Sequence, residues 1–387
     1  MNYGSGAVQP DHLVRVPVTG HAFIKRTNYN FIEDHANMSR SCIILIAFIL
    51  FANIYPLPSV HADEQQPHAV VFMYHRFGEA QYPSTNVTIE QFEQQLNYLK
   101  ENHFTVLPLE EIVEAIQQRQ SLPENSVAIT IDDAYRSVYE VAYPRLQAMN
   151  FPFTVFVATG SVDEKNPAIM SWQQIREMHN NGVTFANHTE KHEYLVRRQQ
   201  DESVMEWTQR ITASIETAQR RLQEELGHAP MLFAYPYGEY SHEVMDLVEK
   251  LGYTAFGQHS GGMGILSNQL ALPRFPIAEA FADLGSFRTK ARSLPLPVIR
   301  QEPVNPLTGE RRPELTLTLT PADANLGQLA CYFGADRMKI EWLIPNEKFS
   351  IQATKDLPAG RSRYNCTAPN IAGNRYYWFS QQWVSNH

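Results

Sequence analysis

From Ala69 to Gln258 the chain alternates short apolar runs with amphipathic stretches, and this alternation constrains the fold more than any other feature. The strand-like runs are AVVFMY (69–74), FTVLPL (104–109), VAITI (127–131), FTVFVA (153–158), VTFAN (183–187), MLFAY (231–235) and TAFGQ (254–258). VAITI, short, apolar and β-branched, reads as a buried strand. Between most of them lie helical patterns. TIEQFEQQLNYLKENH sets Phe92, Leu96 and Leu99 on one face behind Thr88 as N-cap. Residues 137–150 and 241–252 behave alike, the second closed by Gly252, and 203–226 is the longest helix expected. Strand–helix alternation implies a parallel sheet, open or closed. Seven units in about 220 residues suit a barrel of the (β/α) type.

The composition changes after Ser293. LPLPVIRQEPVNPLTGERRPE is rich in proline and reads as a linker over 294–313. Beyond it, LTLTLT (315–320), MKIEWLI (338–344), KFSIQAT (348–354) and RYYWFSQQWV (375–384) alternate with period two, so 314–387 is expected to be a small all-β, sandwich-like domain. Its aromatics Tyr376, Tyr377, Trp378 and Trp383 read as sandwich core ahead of a sugar-stacking surface.

At the other end, Cys42 to Tyr55 is a 14-residue, almost wholly apolar run. That is short for a membrane span of about 20 residues. Arg40 precedes it, and Val60 and Ala62 fit a signal-peptidase site. The expectation is a signal peptide over 38–62 starting at Met38, with residues 1–37 outside the mature protein, and an uncleaved anchor as the alternative. The chain is then exported, periplasmic or secreted, with no stable membrane span after cleavage. In an oxidising compartment Cys331 and Cys366 read as a disulfide, since Cys42 would leave with the apolar run. The net charge of −9 and the lack of a basic block argue against nucleic acid as a partner.

In a parallel barrel the site lies at the C-terminal ends of the strands. There the sequence places His75, the pair Asp132 and Asp133, His188 and His192, Pro236-Tyr237-Gly238, and His259. On a helical turn His188 and His192, at i and i+4, share a face and can grip one ion. Two histidines with one carboxylate, leaving positions open, make a catalytic rather than a structural metal site. Adjacent side chains at a strand end point different ways. One aspartate therefore ligates the metal and the other takes a proton from water whose pKa the metal lowers towards ~7. A backbone N–H in the tight Tyr237 turn would stabilise the resulting oxyanion.

Three ordered motifs, TIDDA, NHTEKH and AYPYGEY, resemble the polysaccharide deacetylases, carbohydrate esterase family 4 or the NodB homology domain, over roughly residues 68–293. The YHRF at 74–77 is similar to the branch acting on poly-N-acetylglucosamine exopolysaccharide. The resemblance implies a distorted (β/α)7 barrel that removes acetyl groups from an acetylated glycan with a divalent metal, zinc first and cobalt or nickel as alternatives. By position it makes Asp132 the catalytic base, Asp133, His188 and His192 the metal ligands, and Tyr237 the oxyanion residue.

Three departures stand out. Ala134 replaces the usual glycine of the first motif. Ala234 stands where the third motif usually carries an arginine, two residues before its proline, and Arg274 in LPRFPI resembles the arginine that the exopolysaccharide branch supplies later in the chain, which would orient or tune Asp132. The late motif ending in a general-acid histidine is missing; His259 is the late histidine that could stand in for it, and His75 reads as a wall of the site. The motifs leave open an O-acetyl esterase or non-sugar amide deacylase on the same metal site, or a non-catalytic glycan-binding protein on a decayed barrel.

Overall fold

The computed structural model describes residues 66–385. The expectations for 1–37, the signal peptide 38–62 and Cys42 lie outside the described residues. No described helix is long and apolar enough to cross a membrane.

Strands His68–Tyr74, Ser126–Asp132, Thr154–Val157, Thr184–Asn187, Leu232–Ala234 and Thr254–Phe256 pair in that order, all parallel. Ser126–Asp132 is buried at every position, as a strand covered on both faces must be. The ring closes through 272–276. Leu272 bridges Phe256 on one side, while Phe275 and Pro276 pair with Phe72 and Met73 on the other. This makes seven staves, the expected distorted barrel, with the distortion at the thin closing segment. The expected strand at 104–109 is not a stave: Thr105–Val106 alone pairs, at the foot of Ser126–Asp132, before a helix starts at Leu109.

Caps fix the helix starts. Thr88 and Gln91 form a capping box on Ile89–Glu101, Ser203 and Glu206 another on Val204–Leu226, and Ser241 caps His242–Lys250. Gly252 follows the last of these in left-handed conformation. The helix expected at 137–150 is instead a π-turn, Val138–Ala142, leading into Tyr143–Ala148. Pro144 has no N–H to give the Glu140 carbonyl, so the chain widens there.

After the barrel, two sheets stack as a sandwich. One orders Leu294–Pro295, Tyr376–Ser385, Gly360–Pro369, Ala330–Phe333 and Asp336–Met338; the other orders Val298–Glu302, Glu314–Leu319, Lys348–Gln352 and Glu341–Ile344. Leu315, Leu317, Phe349 and Ile351 from one meet Cys331, Tyr364, Cys366 and Trp383 from the other. Cys331 and Cys366 face each other across two strands and are bonded.

Residues 294–313 are thus not a free linker: 294–295, 298–302 and 307–308 are strands of these sheets. Pro295, Pro297, Pro303 and Pro306 fall at strand ends or edges, where no ladder N–H is required. Trp383 is sandwich core. Trp378 packs edge-on against Phe275 of the barrel, 5.2 Å between ring centres.

Candidate active site

Asp133 is the first residue beyond strand Ser126–Asp132, and it turns out of the sheet with φ 72°, followed by Ala134 at φ 55°. Left-handed backbone costs a non-glycine residue roughly 1–2 kcal/mol, and it persists where the surroundings impose it. Here the Asp133 N–H donates to the Phe156 carbonyl (3.0 Å) and the Ala134 carbonyl accepts from Met170 N–H (3.0 Å). Glycine at 134 would take this conformation without strain.

That turn sets Asp133 Oδ1 3.3 Å from His188 Nε2 and 3.1 Å from His192 Nε2. All three ligand atoms lie within 4.8 Å of one another. The segment carrying the histidines is a bent loop, not the expected helical turn. Asn187 Oδ1 accepts from Thr189 N–H and Thr189 Oγ1 from His192 N–H, both at 2.9 Å, and Thr189 and His192 have φ of 67° and 52°. Side-chain bonds to the backbone replace the helical ladder and still bring the two rings to 4.8 Å.

The donor set fits a cation. His188 Nδ1 lies 2.7 Å from the Ala234 carbonyl, so it carries the proton and Nε2 holds the lone pair. That Nε2 is buried without a hydrogen-bond partner and faces a carboxylate oxygen. Two lone pairs in apposition call for a positive charge between them, and two imidazoles with one carboxylate suit a divalent ion such as zinc.

Asp132 lies outside this group. Its carboxylate, 0% exposed, meets Arg274 in a two-pronged pair, Nη1 to Oδ1 at 2.7 Å and Nη2 to Oδ2 at 2.9 Å. Arg274 Nε donates to the Gly257 carbonyl (3.0 Å) and Nη1 also to Thr130 Oγ1 (3.2 Å). Burial by itself raises the Asp132 carboxyl; Arg274, with His188 and His75, outweighs it and holds the group below the usual carboxylate value. The arginine missing at Ala234 is thus supplied from the closing stave.

Tyr237 has φ 58° and ψ 2° in the turn after Leu232–Ala234. Its ring meets His192 edge-on at 4.5 Å and stacks on Tyr194 at 3.9 Å. His259 sits apart from the Asp133, His188 and His192 group. It lines a cavity of about 350 Å³ together with Tyr240, Pro273 and Trp378. Burial, then the charges of Arg363 and Arg274, push its imidazole down to about 3. A ring so held is neutral near pH 7 and has no spare proton to deliver.

His75 follows strand His68–Tyr74, and its imidazole is held below the usual histidine value. Burial lowers its imidazole, but Asp133 and Asp132 both act on it in the opposite sense. Four further residues escaped sequence reading altogether. Thr130 orients Arg274. Tyr194 backs Tyr237. Arg361 and Gln382 reach in from the sandwich, to the Tyr237 and Gly238 carbonyls respectively. For the last two no local motif exists to give a signal.

Residues 119–256 match the family model for polysaccharide deacetylase. A poly-beta-1,6-N-acetyl-D-glucosamine N-deacetylase of Staphylococcus aureus (strain MRSA252) is 25% identical over 273 residues, covering 62% of this chain and 93% of that protein. The protein of the same name from Escherichia coli (strain K12) is 26% identical over 260 residues, covering 57% of this chain and 38% of that one. In fold, a Streptococcus pyogenes deacetylase solved in complex with acetate aligns with TM-score 0.53 at 23% identity, over 58% of this chain and 99% of that one.

Proposed function

We propose that this chain, which belongs to the polysaccharide deacetylase family, is an exported metal-dependent hydrolase that removes acetyl groups from an N-acetylglucosamine-type glycan. The observation that carries the reading is the division between neighbours: Asp132 is held by Arg274, while Asp133 faces His188 and His192. The names of the curated relatives support poly-β-1,6-linked N-acetylglucosamine as the glycan. The Cys331–Cys366 bond supports an oxidising compartment, periplasmic or outside the cell.

A divalent ion held by Asp133, His188 and His192, zinc first and cobalt or nickel next, would supply Lewis-acid activation of water and of the acetamide carbonyl. The chain's own residues do the rest. Asp132 accepts the proton of the attacking water; with two of its four lone-pair sites on Arg274, two remain for this. Water oxygen bonds to the carbonyl carbon, and the Tyr237 backbone N–H donates to the oxyanion. His75, at the end of strand His68–Tyr74 and beside both aspartates, passes a proton to the amine as the C–N bond breaks, leaving acetate and a glucosamine unit in the glycan.

The test is acetate release by the full chain, stripped with chelator and reloaded with zinc, cobalt or nickel, on β-1,6- and β-1,4-linked N-acetylglucosamine oligomers. Metal-dependent acetate release, with the oligomer losing one acetyl group for each acetate formed, supports the reading. Release from O-acetylated xylan or peptide amides alone would replace it.

A further inference from the structure

We infer that the C-terminal sandwich is a working part of the active site: Arg361 and Gln382 are positioning residues that hold the Tyr237–Gly238 turn in the shape that presents the Tyr237 N–H to the oxyanion. The inference rests on the deacetylase reading for its chemistry, though not for its geometry.

Tyr237 and Gly238 are consecutive left-handed residues, with φ of 58° and 67°. Tyrosine keeps that conformation only where its surroundings over-determine it. Within the barrel, the turn has Gly238 N–H to the Tyr235 carbonyl (2.8 Å) and Glu239 N–H to the Pro236 carbonyl (3.2 Å). The carbonyls of the turn itself are held from the sandwich. Arg361 Nη1 donates to Tyr237 O, and Gln382 Nε2 donates to Gly238 O.

These donors sit on a stiff base. Strands Gly360–Pro369 and Tyr376–Ser385 pair without a break along ten residues each, and Gln382 is fully buried. Arg361 Nη1 also donates to Gln258 Oε1 at 2.9 Å. Gln258 presses on the turn from the barrel side: a Cβ at Gly238 would fall 2.5 Å from the Gln258 Cβ. The turn is thus clamped between barrel and sandwich.

The clamp reaches the metal group through contacts. Glu239, 1% exposed, lies 3.0 Å from Arg197 Nη2 and 4.0 Å from Arg361 Nε. Arg197 covers Tyr194 at 3.7 Å, Tyr194 stacks on Tyr237, and Tyr237 abuts His192. A shift of the peptide after Tyr237 moves a backbone donor and the neighbour of a metal ligand together.

The experiment compares full-length wild type with Arg361→Ala and Arg361→Lys. It reads kcat and KM on a β-1,6-linked N-acetylglucosamine pentamer, zinc bound per chain, and amide hydrogen exchange across 236–239. Loss of one preorganised oxyanion donor costs on the order of 100-fold in kcat, so a loosened one should cost about tenfold or more. The inference expects that fall in Arg361→Ala with KM within about twofold, zinc content unchanged, faster exchange at 237–239, and partial recovery with Arg361→Lys or added guanidinium. Unchanged kcat per folded chain, with exchange at 237–239 as in wild type, overturns it, even if Tm falls. If wild type releases acetate from no glycan, the deacetylase reading fails, and the exchange comparison alone still decides the clamp.

Discussion

Arg274 and Asp132, 142 residues apart in sequence, form a fully buried two-pronged ion pair at the heart of the barrel. The guanidinium fork matches both carboxylate oxygens, which lysine cannot reproduce. Removing one partner of such a pair leaves an uncompensated buried charge and costs about 3–5 kcal/mol. Arg274→Ala should therefore lower the denaturation midpoint sharply in urea titrations.

The same pair sets a pH dependence. Asp132 is held below the ordinary carboxylate value, so its share of stability is complete above the unfolded value and lost as pH falls through the folded one. In Arg274→Lys the fork is gone and burial, which raises the carboxyl, has more weight. The acid limb of kcat/KM should move to higher pH, read from a pH–rate profile; a limb that stays put would separate Arg274 from the base.

A bound ion should register without turnover. Ligands that bind only the folded state stabilise it, by about 2.7 kcal/mol at 100 times Kd. Zinc should raise the Tm of stripped wild type and leave His188→Ala unmoved, because that change removes the buried, unpartnered Nε2. Calorimetry with and without zinc reads this directly.

The two spare histidines should part company. Burial lowers both imidazoles; at His75 the carboxylates of Asp133 and Asp132 work against it, with Arg274 and His188 on its side, whereas the charges at His259 are arginines that oppose protonation. His75→Gln should cut kcat by on the order of 100-fold, the range of general acid catalysis. His259→Gln should stay within a few-fold on the same substrate; the reverse ranking would return the acid role to His259.

The Cys331–Cys366 bond closes a loop of 35 residues in the sandwich. Chain entropy assigns such a loop about 4 kcal/mol. The double serine variant should unfold at correspondingly lower urea, and kcat should fall with it where the sandwich loosens its hold on the 236–239 turn.

Much of this site is legible in the sequence because it is local. Asp132, Asp133, His188 and His192 each follow an apolar strand run, and strand ends are where a parallel barrel gathers its side chains. Thr88, Ser203 and Gly252 announce helix ends for equally local reasons. What eluded sequence reading is long-range. The closing stave at 272–276 is too short and too rich in proline to show a strand pattern, and it supplies Arg274. Residues 294–313 looked like a linker because proline composition does not reveal which intervening residues pair. Arg361 and Gln382 are ordinary strand residues whose role depends on the sandwich docking beside the Tyr237 turn.

The central claim is that two consecutive aspartates do different work, and zinc content measured beside acetate release tests it most directly. Asp132→Asn should keep one zinc per chain, in the fold of wild type, and lose nearly all turnover. Asp133→Asn should lose the zinc and the turnover together. Asp132→Asn that fails to hold zinc, or that deacetylates at the wild-type rate, would contradict the account.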